Sequence, residues 1–214
     1  MDAKLSKDEV RAAYRKYASI YDIWSFLAES KARRRCLELA EIRDGEAVLE
    51  VAVGTGVLFE KIVTLHPEGR NEGIDLSDAM LARARARVEK TGARNYELKI
   101  GDACYIENPD KSFDVLLNNY MFDLIPETDF VAILNEFKRV LRHGGRLVLV
   151  NMTKGPHWFT ALWDWIYKIN PSLLGGCRGI ELHPYLAKAG FDEIRREYIS
   201  QFMFPSELIS AVRP

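Results

Sequence analysis

The chain has 214 residues, 48% of them hydrophobic, and a formal net charge of −1. That size and apolar share suit one globular domain with a sizeable core, and the charge balance argues against nucleic-acid binding by bulk charge. Three scattered cysteines without a CxxC pair read as reduced thiols in a cytoplasmic protein, and no apolar run approaches the length that spans a bilayer.

The polar stretch Met1 to Glu9 does not read as a signal peptide. Within it, Ser6-Lys7-Asp8-Glu9 fits a capping box. The helix behind it places Val10, Ala13, Tyr14 and Tyr17 on one face. Tyr21-Asp22 follows, then a second helical segment from about Ala28 to Glu41. Asp44-Gly45 marks a turn. An apolar run at Ala47–Val51 is the first predicted strand, and it breaks into Ala52-Val53-Gly54-Thr55-Gly56. Glycine there lets backbone approach a ligand, because no Cβ stands in the way.

From that loop onward strand and helix patterns alternate. The spacing predicts helix 57–65, strand 71–75, helix 78–90, strand 96–101, strand 113–118, helix 127–141 and strand 146–151. The 127–141 helix opens at Pro126 and stops at Gly144-Gly145. Segment 156–176 is aromatic-rich, with Trp158, Phe159, Leu162, Trp163, Trp165, Ile166 and Ile169 at helical spacing. It reads as a lid for an apolar acceptor, a peripheral membrane contact, or plain packing. A helix at about 181–189 and strands at 191–199 and 206–212 complete the pattern. This alternation predicts an α/β fold, doubly wound, with a mostly parallel seven-stranded sheet. The expected divisions are a helical cap (1–43), a binding core (44–151), an aromatic insertion (152–180) and a final helix with strands (181–214).

The loop position suits ligand binding, at the carboxyl end of the first strand of such a sheet. A dinucleotide-binding fingerprint needs a small residue three positions after its second glycine. That position holds Phe59, or Val57 in the other register, and neither is small. Asp75 ends the second strand, where a carboxylate can accept both hydroxyls of a ribose. Asp102, in Gly101-Asp102-Ala103, ends the third strand and could accept from an adenine amino group. The pair reads an adenosine.

These motifs together resemble the class I S-adenosylmethionine-dependent methyltransferases. The matching residues are Glu50-x-Ala52-x-Gly54-x-Gly56, Asp75, Gly101-Asp102-Ala103, Phe113-Asp114-Val115, Arg139 to Gly145, and Lys188-Ala189-Gly190-Phe191. Tyr14 through Asp22 is similar to the entry segment of the ubiquinone/menaquinone-biosynthesis and bacterial phosphatidylethanolamine methyltransferases. The resemblance implies that S-adenosyl-L-methionine is the cofactor and S-adenosyl-L-homocysteine the product. It implies that Gly54 and Gly56 pack against the methionine portion, that Glu50 orders their loop, and that Asp75 binds the ribose. Leu76 would lie against the adenine, Asp102 and Ala103 would hold its edge, and Asn118 would sit beside the methionine part and the acceptor.

Two positions depart from the family pattern. Ala52 replaces a glycine, which implies a shifted loop, and His143 replaces a proline. Tyr17 and Tyr21 are candidates for lining the sulfonium or acceptor side, since aromatic faces attract cations. Asn118-Asn119-Tyr120-Met121 is not the motif used on planar amide or base nitrogens. The expected acceptor is small or lipid-like, a quinone precursor or a lipid head group, with no nucleic acid and with a monomer or homodimer. A polar metabolite is the rival acceptor. A polyamine synthase would need an acidic cluster, for which only Asp123, Glu127 and Asp129 offer themselves, and a catalytically silent binder is the remaining alternative. The four histidines lack metal-ligand spacing. Arg33-Arg34-Arg35 and Arg83/Arg85/Arg87 read as solvated helix faces, and Cys104 as a small buried hydrophobe.

Overall fold

The computed structural model describes residues 29–154 and 177–214. Helical backbone over residues 29–40, here α1, precedes β1 (Ala47–Val51), α2 (Val57–Leu65), β2 (Arg70–Asp75), α3 (Asp78–Glu89) and β3 (Tyr96–Ile100). There follow β4 (Phe113–Asn119), α4 (Phe130–Val140), β5 (Leu141–Met152), α5 (His183–Lys188), β6 (Asp192–Gln201) and β7 (Phe204–Val212). The strands form one seven-stranded sheet in the order β3-β2-β1-β4-β5-β7-β6. Strands β1 to β5 pair in parallel, β7 runs antiparallel between β5 and β6, and β6 therefore points the same way as β5.

Side chains in a strand alternate between the two faces of the sheet, and this alternation builds two cores. Leu49, Val51, Leu116, Leu147 and Leu149 face α4 and α5, where Phe130, Ile133, Phe137 and Leu186 pack. Val48, Val115, Leu117, Val148 and Val150 face α1, α2 and α3. Nearly every one of these side chains is fully buried, each worth about 1.5–3 kcal/mol of transfer free energy. Strand order reverses between β1 and β4, and the crevice at their carboxyl ends is where open α/β sheets bind ligands.

Two boundaries differ from the sequence expectation. The 127–141 helix divides into a 3₁₀ turn at Glu127–Asp129 and α4 proper, which ends at Val140. Leu141 is drawn into the sheet opposite Phe113, so the helix stops before Gly144-Gly145 instead of at it. Gly144, inside β5 with φ +73, donates its N–H to the Arg213 carbonyl. The late strands are longer than expected and meet at Phe202-Met203, both at positive φ. Such a turn ordinarily announces itself by glycine or asparagine, and these bulky residues give no such signal.

Candidate active site

The rim of the crevice begins at β1. Ala52, Gly54 and Gly56 all adopt positive φ, at 60, 57 and 80 degrees. The alanine does not shift the loop to a right-handed path; it is held in the left-handed region that L side chains avoid. At Gly54 an added Cβ would meet nothing within 4 Å, so its backbone faces open space. At Gly56 a Cβ would lie 2.8 Å from Ala84 Cα and Cβ, because α3 crosses close beneath the loop.

Asp75 closes this loop onto β2. Its Oδ2 accepts the Gly54 N–H at 2.8 Å, and its Oδ1 accepts the Ser77 N–H at 2.8 Å. Its backbone carbonyl accepts from Gly101 N–H at 3.1 Å, which draws in the end of β3. Asp102 Oδ1 accepts the Cys104 N–H at 2.9 Å and shapes a tight turn that buries Ala103. Ala52, Gly54, Asp75, Leu76 and Asp102 are half-buried, so this rim is both ordered and reachable. Asn118 is fully buried; its Nδ2 donates to the Val51 carbonyl at 2.8 Å and its Oδ1 has no partner.

Glu50 stands on the α1 side of β1 with a buried, unpartnered Oε2. Burial raises its pKa well above the usual carboxylate range; nearby Arg33 opposes that rise and Asp75 adds to it. The Gly54 N–H of the loop bonds to Asp75.

Several sequence readings need correction. Cys104 is exposed, because the Asp102 turn buries the alanine before it and leaves the cysteine outside. Arg87 is no solvated side chain: its Nε donates to the Thr55 carbonyl at 3.0 Å inside the glycine loop. Arg83 and Arg85 are exposed as expected, though Arg85 also donates to the Leu98 carbonyl at 2.7 Å. On α1, half-buried Arg33 pairs with buried Glu29 at 3.1 Å, and Arg35 forks onto Glu197 at 2.7 and 2.8 Å. Of the acidic residues noted beyond β4, Asp123 is fully buried, whereas Glu127 accepts from the Tyr185 hydroxyl at 2.9 Å. Tyr17, Tyr21 and the 158–169 aromatic face lie outside the described residues.

Phe59, whose bulk spoke against a dinucleotide fold, is fully buried and packs edge-on against Tyr96, ring centroids 6.2 Å apart. The space it needs comes from β2. A Cβ at Gly73 would lie 3.1 Å from Phe59 Cε2 and 2.7 Å from Val53 Cγ2. The small partner of this helix–strand contact is in the strand, not in the helix.

A methyltransferase-domain family profile matches residues 48–145. The chain is 36% identical over 156 residues to a phosphatidylethanolamine N-methyltransferase of Cereibacter sphaeroides, covering 70% of this chain and 72% of that protein. It is 30% identical over 162 residues to a demethylmenaquinone methyltransferase of Listeria welshimeri, covering 71% of this chain and 66% of that protein. Its fold superposes on the geranyl diphosphate C-methyltransferase of Streptomyces coelicolor with a TM-score of 0.71 at 15% identity, over 87% of this chain and 79% of that one. Among the described residues no helix is long and apolar enough to cross a membrane. The ordered glycine loop, its Asp75 clamp and the relatives agree: the chain belongs to the class I S-adenosylmethionine-dependent methyltransferases.

Proposed function

We propose that the protein methylates a lipid-like acceptor, a lipid head group or a quinone precursor, at the carboxyl rim of β1 and β4. The observation that carries the cofactor side is the clamp of Asp75 on Gly54. The open space over Gly54 is a cradle that a Cβ would begin to fill, and it fits a methionine tail. In this reading Ala52, Gly54 and Gly56 hold that tail and Asp75 the ribose. Leu76, Asp102 and Ala103 receive the adenine, and Asn118 stands between the methionine portion and the acceptor. Tyr17 and Tyr21 are proposed to line the acceptor side.

When bound, S-adenosylmethionine supplies an electrophilic methyl group on a sulfonium, already a good leaving group. The chain then has to align the acceptor with that methyl, and orientation supplies most of the acceleration. No oxyanion hole is required, since charge is dispersed and not created. The acceptor class is supported by two relatives whose names specify a phospholipid and a quinone.

The test is a labelled-methyl screen with the purified protein over quinone precursors, phospholipids and polar metabolites. Transfer to an apolar acceptor supports the reading. Transfer confined to polar metabolites overturns it, and S-adenosylhomocysteine binding without any transfer identifies a silent binder.

A further inference from the structure

Buried polar atoms without a hydrogen-bond partner are few in folded proteins, and each that persists needs a reason. In this chain they gather in one place. Among the described residues such atoms are found on Glu50, Asn118, Asn119, Asp123 and Asn151, with Asn71 Oδ1 lying elsewhere. These residues lie at or just beyond the carboxyl ends of β1, β4 and β5. Asp123 is the ionisable one that stands outside the strands.

Asp123 sits in the 3₁₀ turn Phe122–Leu124, which Met121 opens. Met121 Sδ lies 3.5 Å from Asn118 Nδ2, so the turn is tied to the end of β4. The Asp123 side chain is fully buried; Oδ2 accepts the Met152 N–H at 3.1 Å and Oδ1 has no partner. Arg178 directs guanidinium N–H groups to the carbonyls of Asp123 and Ile125, at 3.1 and 2.6 Å. Glu29 on α1 and Tyr120 at the end of β4 also face this carboxylate.

We propose that Asp123 is the proton acceptor for methylation of a phospholipid head-group amine. Its Oδ1 takes one proton from the ammonium nitrogen. The freed lone pair forms the N–C bond to the methyl as the S–C bond breaks and its electron pair stays on sulfur. The proton passes from Asp123 to solvent when the product leaves. This role rests on the reading of the chain as a methyltransferase for a lipid-like acceptor. An amine is favoured over a quinol because it arrives as a cation, and Asp123 and Glu29 are buried carboxylates that face one another just beyond β4. Burial raises the Asp123 carboxyl, the Met152 N–H opposes this, Glu29 raises it further and Arg178 lowers it. The outcome is about 7, where a general base works best.

The test uses the full chain, labelled S-adenosylmethionine, and phosphatidylethanolamine in detergent micelles, with demethylmenaquinol as a second arm. Wild type should methylate the amine, with kcat rising through about pH 7. Asp123→Asn should lose on the order of 100-fold in kcat and the acidic limb of the profile. Its KM for S-adenosylmethionine and its calorimetric affinity for S-adenosylhomocysteine should stay within about twofold. Transfer to the quinol alone, or an Asp123→Asn chain with wild-type kcat and pH limb, overturns the role. Should that variant not fold, the wild-type profile decides, and a flat kcat between about pH 6 and 8 overturns it. A wild type that binds S-adenosylhomocysteine but methylates neither arm defeats the lipid-like reading itself, and the role with it.

Discussion

The Asp75 carboxylate accepts the Gly54 N–H at 2.8 Å and so ties the end of β2 to the loop after β1. With the Ser77 N–H on its other oxygen, one side chain sets both the glycine loop and the entry to α3. A hydrogen bond to a charged group contributes about 1.5–3 kcal/mol, enough to decide whether a loop with three left-handed residues is ordered.

Asp75→Ala should therefore act on binding and on fold together. Its S-adenosylhomocysteine affinity should fall at least about tenfold, near 1.4 kcal/mol, with a lower melting temperature. Asp75→Asn keeps one acceptor oxygen and should recover much of the stability but little of the affinity. Calorimetry and thermal melts on both variants check this, and unchanged binding by the alanine variant would remove Asp75 from the cofactor site.

Ala52 carries backbone strain that glycine would not. At φ 60 the methyl group costs about 1–2 kcal/mol, while glycine in the unfolded chain costs about 0.5–1 kcal/mol in entropy. Ala52→Gly should thus raise stability slightly, by a degree or a few in melting temperature. Ala52→Val, β-branched at the same φ, should lower it clearly. A glycine variant less stable than wild type would show that the left-handed alanine is not strained.

Phe59 and Gly73 should behave as a coupled pair. Gly73→Ala drives a methyl group toward Val53, Leu98 and Phe59, an overpacking that costs about 1–3 kcal/mol. Phe59→Leu vacates part of that space. The double variant should be less destabilised than the sum of the singles, by about 0.5 kcal/mol or more, in denaturant unfolding. Strict additivity would mean that the two sites do not share space.

The sheet, its order of elements and the gathering of Asp75, Asp102 and the glycines on one rim were legible in the sequence because they depend on local pattern. Asp75 and Asp102 close apolar runs, and Gly54 and Gly56 follow one, so spacing places them at one edge. Residues whose role depends on distant packing were not legible. Arg87 looks like any helix-surface arginine until the close Gly56–Ala84 crossing brings it to Thr55. Cys104 is turned outward by a local bond from its own N–H to Asp102. Asp123 stood in the sequence as one acid among three; the Met152 amide and Arg178, far along the chain, single it out. Leu141 left its predicted helix because Phe113 offered a sheet partner.

Arg87 itself supplies a test of that long-range contact. Arg87→Ala removes the N–H donor to the Thr55 carbonyl while leaving Asp75 and the glycines in place. The loop loses one charge-assisted bond, so KM for S-adenosylmethionine should rise about three- to tenfold with kcat little changed. An unchanged KM would return Arg87 to the helix surface.

The stability of the fold should carry the mark of Asp123 as a function of pH. Its carboxyl, near 3.8 when free in the unfolded chain, is raised to about 7 in the folded state. Between those values the native chain holds a proton that the unfolded chain has lost, so stability falls as pH rises. The contribution is fully present below the unfolded value and is lost on passing 7, each pKa unit being worth about 1.4 kcal/mol. Asp123→Asn keeps an acceptor for the Met152 N–H without the buried charge. The variant should therefore melt higher than wild type at pH 8, with the difference shrinking toward pH 5. Thermal melts across that range check the sign. A variant less stable than wild type at pH 8 would mean that the charged carboxylate is stabilising where it sits, and that its pKa is not raised.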